Sequence, residues 1–183
     1  MKLQELYELA VHKGIEADPR GKDGVEQLLA DTSQAYHELK EKEKEEFDQD
    51  RLWNPYDDTR ILCGDPGAEI GSILVGIDME VGEVLLADRL REKGKPIDAI
   101  VAHHPEGAAL ARLHEVMHLQ EDILHNLGVP VNIAEGILRE RIKEVERGIM
   151  PINHSRAVDA ARLLGFSMIC IHTPADNSVY RFL

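Results

Sequence analysis

The chain has 183 residues, enough for one well-buried domain and too few for two full-sized ones. Its 34 acidic residues outnumber 21 basic ones, and the net charge of −13 repels nucleic acid and anionic lipid while suiting bound divalent cations. Cys63 and Cys170 sit in apolar runs without CxxC spacing, which excludes a disulfide framework and a thiolate zinc site and marks both as reduced core thiols.

The amino-terminal MKLQELYELAVHKG is amphipathic and acid-containing, and no later run approaches ~18 apolar residues, so the chain reads as cytoplasmic with no membrane partner. Leu3, Leu6, Leu9 and Ala10 recur at helical spacing. Val25, Leu28, Leu29 and Tyr36 do the same beyond Asp18-Pro19, which predicts two helices. The run from Glu38 to Asp50 is almost all charged and reads as a solvated helix face or connector. Trp53, Pro55 and Tyr56 mark a junction, after which short β-type runs begin at Arg60 to Cys63 and Ser72 to Ile77. Gly64-Asp-Pro-Gly67 between them is a turn and not a phosphate loop.

From Ser72 the order is strand, helix from about Glu80 to Lys93, then strand Ala99 to Ala102. Such a βαβ unit implies parallel strands whose ligand sites form at their carboxyl ends, an edge that Asp78 and His103 would share. A helix from about Ala108 to Leu127, a short apolar segment Val129 to Ile133, and helices through Arg147 and from His154 to Leu164 lead to a strand at Ser167 to Ile171. The twelve residues after it are too few for a new layer. The fold class is α/β, a mainly parallel sheet flanked by helices. It divides into an N-terminal helical segment, residues 1–57, and an α/β metal-binding domain, residues 58–183.

The second strand stops at His103-His104-Pro105-Glu106-Gly107. Side chains alternate across a strand, so the two imidazoles leave its end in different directions, as ligands of neighbouring metal positions would. The alternative is a strand end with one exposed and one core-satisfied histidine. The last strand ends in a similar way, His172-Thr-Pro-Ala-Asp176, which puts His172 where His103 stands and delivers Asp176 just beyond. Nitrogen and oxygen ligands converging from two parallel strands would hold zinc, iron or manganese, one or two ions per chain, with the carboxylate able to bridge. Asp78 is either a further ligand or a helix cap. Glu106 or Glu115 would transfer protons to or from an activated water.

A competing motif is His114-Glu115-Val116-Met117-His118, the H-E-x-x-H pattern in which two histidines one helical turn apart hold zinc and the glutamate activates water. Its longer variant fails at Glu121 and Leu124, and the third ligand would have to come from Glu135 or Glu140. In the alternative reading, His114 is an extra ligand of the strand-end site.

The segments GIDMEVGEVLLADRL, DAIVAHHPEG and CIHTPADN resemble the dinuclear-metal family of GTP cyclohydrolase type 2 homologues, the YbgI-like proteins, over roughly residues 58 to 178. The resemblance implies an α/β fold, a two-metal centre of hydrolase character acting on an unidentified small molecule, and a ring of subunits, commonly a hexamer. His103, His104 and Asp176 fall on family ligands. The family completes its site with a histidine and a glutamate from a late segment. This chain ends at Leu183 before one, so it reads as the front half of the family fold or a shortened variant. On that view the site is completed by His172, Glu106 or His114, loses affinity, or is inert. A non-enzymatic metal-binding scaffold is the second functional reading, and an H-E-x-x-H peptidase the third.

Overall fold

The computed structural model describes residues 1–183. The first helices are α1 (Leu3–Glu16) and α2 (Gly21–Glu38), and the charged run becomes α3 (Glu41–Glu46) and a single 3-10 turn at Gln49–Leu52. The buried stripe of α1 is Leu3, Tyr7, Val11 and Gly14, not the expected Leu3, Leu6, Leu9 and Ala10; Leu9 is 46% exposed. The four-residue row wins because it faces the sheet. Tyr7, Val11 and Leu3 pack there with Tyr56, Ala99, Val101 and Ile169, and the Tyr7 hydroxyl donates to Asp50 at 2.9 Å.

The sheet runs in the order β1 (Arg60–Cys63), β4 (Ser167–Cys170), β3 (Ala99–Ala102), β2 (Ile73–Gly76). β2, β3 and β4 are parallel, whereas β1 pairs antiparallel with β4 at one edge. Helix α4 (Val81–Glu92) joins β2 to β3, completing the βαβ unit read from the sequence. β3 and β4 are buried at every position, as central strands covered on both faces should be. The other face packs Val84 and Ala87 of α4 with Ala157, Val158 and Ala161 of α9 (Arg156–Leu163) over Ile100, Ala102 and Met168. On the open edge strand β2, Ile73 and Val75 remain exposed, as does Ile77 beyond it.

Three expectations change between β3 and the carboxyl terminus. The helix expected from Ala108 to Leu127 is broken into α5 (Gly107–Ala111), α6 (Leu113–Val116) and α7 (Leu119–Asn126). Arg112 leaves helical geometry at φ −108°, ψ 9°. Around the second break Met117, His118, Gln120 and Glu121 donate to carbonyls three residues back. Such bonds wind the chain at about three residues per turn instead of 3.6, so residues four apart no longer stack on one face. The apolar segment at Val129 leads directly into α8 (Val131–Ile149). The last residues form α10 (Thr173–Phe182), which lies against α1. Their closeness needs a glycine: a Cβ on Gly14 would come within 2.7 Å of the Pro174 Cβ. No helix is long and apolar enough to cross a membrane.

Candidate metal centre

The parallel register brings the site together. Gly76 pairs with Ala102, and Ala102 with Cys170, so β2, β3 and β4 end level with one another. The next residues continue the ladder for one more step: His103 N–H donates to the Gly76 carbonyl, His104 N–H to the Ile77 carbonyl and Ile171 N–H to the Ala102 carbonyl, each at 2.9 Å. Asp78, His103, His104 and His172 therefore leave adjacent strand ends, where parallel sheets place their ligand sites. Gly107 then turns the chain into α5 with φ +58°, and a Cβ there would meet Val158 at 2.9 Å.

The two neighbouring imidazoles do not diverge as alternation alone suggests. Their ring centroids are 5.2 Å apart, and His172 lies 4.9 Å from His103 and 6.0 Å from His104. One ligand atom from each of the three lies within 4.8 Å of the other two, the one such group in the protein. Asp176, one turn into α10, sets its Oδ1 3.5 Å from His103 Nε2 and its Oδ2 3.7 Å from His172 Nε2.

All three rings are held by the same nitrogen. His172 Nδ1 is 2.8 Å from the Asp58 carboxylate, His104 Nδ1 is 2.7 Å from the Asp78 carboxylate, and His103 Nδ1 is 3.3 Å from the Ile171 carbonyl. Each of these oxygens only accepts, so the hydrogen belongs on Nδ1 and the Nε2 lone pair is left free. Histidines that bind metals are commonly oriented in this way, through the other ring nitrogen. Asp78 is thus placed as the partner of His104, not as a member of the three-imidazole group.

Asp58 is the residue that sequence reasoning missed. Its side chain is fully buried at the approach to β1. Besides His172 it accepts from the Thr173 hydroxyl at 2.6 Å and the Thr173 N–H at 3.4 Å. It is 114 residues from its imidazole partner, so no local spacing could announce it. Burial disfavours a charged His172, yet the hydrogen bond and charge of Asp58, with Asp176 adding to them, hold its pKa above the usual imidazole value. Burial, and then the charge of Glu80, push Glu106 up to about 7. Cys170 donates its thiol to the Asp58 carbonyl at 3.1 Å, and burial pushes its pKa up, so it offers no thiolate ligand.

His114, Glu115 and His118 stand apart from this group. They border a different cavity, against α8 and including Glu135, but no third ligand atom joins the two histidines there. His118 Nδ1 is engaged by Glu121 at 2.9 Å, and His114 Nε2 lies 3.5 Å from Glu115. The structure therefore does not bring His114 to the strand-end site, nor does it build the third zinc ligand that H-E-x-x-H requires.

A mainly parallel α/β sheet with three ring nitrogens and a carboxylate gathered at its carboxyl edge describes a protein suited to binding metal ions. No family model and no curated protein matches the chain. Among solved structures, it is similar to a NIF3 superfamily protein from Sphaerobacter thermophilus, with 27% sequence identity and a TM-score of 0.62. The likeness covers 69% of this chain and 44% of that one, so the chain spans less than half the length of its structural neighbour. It supports the NIF3 or YbgI-like fold expected from the strand-end motifs, without reaching the GTP cyclohydrolase type 2 label.

Proposed function

We propose that the chain binds one or two divalent metal ions through His103, His104, His172 and Asp176, and that the bound centre is of the hydrolase type. The observation that carries this reading is the shared orientation of the rings: each Nδ1 is tied back to an acceptor, so Nε2 is the free nitrogen of all three. Three imidazoles and a carboxylate form a donor set suited to zinc, iron or manganese. Zinc–nitrogen bonds of about 2.0–2.1 Å separate tetrahedral ligands by about 3.3 Å. One ligand atom from each of the three rings lies within 4.8 Å of the other two, and His104 is about half exposed.

A divalent ion in such a site acts as a Lewis acid toward water and toward carbonyl or phosphoryl oxygens. The chain's own residues position and protect that chemistry. Asp58 and Asp78 fix two of the rings, and Glu106, two residues beyond His104 at the start of α5, is the group we assign to exchange protons. The neighbouring fold supports the metal reading and is silent on the reaction.

Metal analysis of the purified chain, with zinc and manganese titrations followed by calorimetry, tests the proposal. The expected result is saturable binding that His103→Ala weakens on the order of a hundredfold. Unchanged binding in that variant would show that any metal sits elsewhere.

A further inference from the structure

A cavity of about 250 Å³ opens beside the histidine group, between the α6–α7 segment and α10. Val116, Met117 and Ile123 line one side and Tyr180 the other, while His172 and Asp176 border both this space and the three-imidazole cluster. No lysine or arginine lines it. Its buried polar groups are already committed. The Thr173 hydroxyl donates to Asp58 at 2.6 Å, Asp58 also holds His172, and the Asn177 amide donates to the Gly14 carbonyl at 3.2 Å and to the Tyr56 hydroxyl at 3.3 Å. The exposed Gln120 and Tyr180 at the margin retain free polar ends, as do His172 Nε2 and the Asp176 carboxylate on the side of the histidine group.

We infer that this cavity is the substrate-side subsite of the metal centre and takes a neutral, ring-sized, largely apolar group, not the phosphates of a nucleotide. Size and charge point the same way. An apolar cavity of about 150 Å³ accommodates benzene, so this one has room for a substituted ring. A nucleoside triphosphate needs several cationic or backbone N–H donors for its phosphates, and these walls offer carboxylates and satisfied side chains instead. Pockets of this kind bind through apolar walls and fix orientation with a few polar groups, here His172 and Asp176 at the reactive end. The position relative to the metal rests on the function proposed above; the ligand class rests on the walls alone.

The test uses para-fluorobenzyl alcohol, a neutral probe without a chelating group, followed by fluorine NMR on the full chain. Saturable binding to metal-free protein is expected. Val116→Trp, which fills the space, should weaken it about tenfold. Gln120→Trp, an exposed position that cannot compromise the core, should weaken it several-fold by obstructing the mouth. GTP should not displace the probe from metal-free protein. With Mn²⁺ added, the bound fluorine should relax faster in the wild type and not in His103→Ala. Absence of saturable binding, binding as tight as in the wild type in both tryptophan variants, or displacement by GTP would overturn the ligand class. Mn²⁺ binding at the histidines without faster relaxation would overturn the subsite assignment. Probe binding with no Mn²⁺ binding would leave the ligand class standing and remove the metal function, so the two failures are distinguishable.

Discussion

Two groups of histidines in this chain look equally suited to metal when read as spacing, and the fold treats them in opposite ways. At the sheet edge, His103, His104 and His172 come from strand ends made level by register, and an acceptor takes Nδ1 of every ring. On the α6–α7 segment, His114 and His118 have the spacing of a zinc peptidase, but the segment is interrupted and wound through three-residue hydrogen bonds. There Nδ1 of one ring meets Glu121, while Nδ1 of the other is buried without a partner. A spacing motif carries its chemistry only if the regular helix behind it exists. A strand-end motif depends instead on the sheet, which the parallel register supplies.

The largest expected effect sets the two groups directly against each other. His172→Ala should lower zinc affinity on the order of a hundredfold or more, while His118→Ala should leave it unchanged, both read by calorimetry. Equal losses in the two variants would erase the contrast.

Asp58→Asn comes next. The amide keeps the shape but removes the carboxylate that orders His172 and accepts from Thr173, so metal affinity should fall about tenfold to a hundredfold. The metal-free protein should lose about 2 kcal/mol of stability as buried donors lose their charged acceptor. A stability loss with unchanged metal affinity would confine Asp58 to a structural role.

Acidification should separate ligand loss from loss of fold. Protonation competes with metal for an imidazole, and His172 has its pKa raised above the usual imidazole value, so affinity should fall as pH drops through that raised value. The fold responds lower. Burial alone would raise the Asp18 carboxyl, but the Arg20 hydrogen bonds and charge, with a hydrogen bond from Tyr56, bring it below the usual aspartate range. A lowered carboxyl stabilises the protein above its unfolded pKa and loses that contribution as pH falls through the folded one, which places this loss below about pH 4. Metal release should therefore precede acid unfolding, and Asp18→Asn should flatten the lower transition alone. Simultaneous transitions would contradict this order.

The sequence was legible where the determinants are local. Apolar runs ending in Gly, Pro or His located every strand within a residue or two, and the βαβ order predicted the parallel core and the strand end that carries His103. The family resemblance named His103, His104 and Asp176. What stayed hidden depends on contacts across the chain. α10 is short and polar, and it packs on α1 through the close approach of Gly14 to Pro174, which no periodicity reveals. Asp58 sits in an unremarkable Asp-Asp-Thr stretch until β1 pairs with β4 and brings it under His172. The helix break at Met117 was concealed for the opposite reason, because the surrounding apolar rhythm continues through it.

The most direct test of the central claim is a long-range proton–nitrogen correlation spectrum of the histidine rings, recorded before and after stoichiometric zinc. The structure predicts that His103, His104 and His172 carry their hydrogen on Nδ1 and that zinc shifts their Nε2 resonances, with His114 and His118 unmoved. Zinc-dependent shifts at His114 and His118, or ligation through Nδ1 at the strand ends, would contradict the assignment.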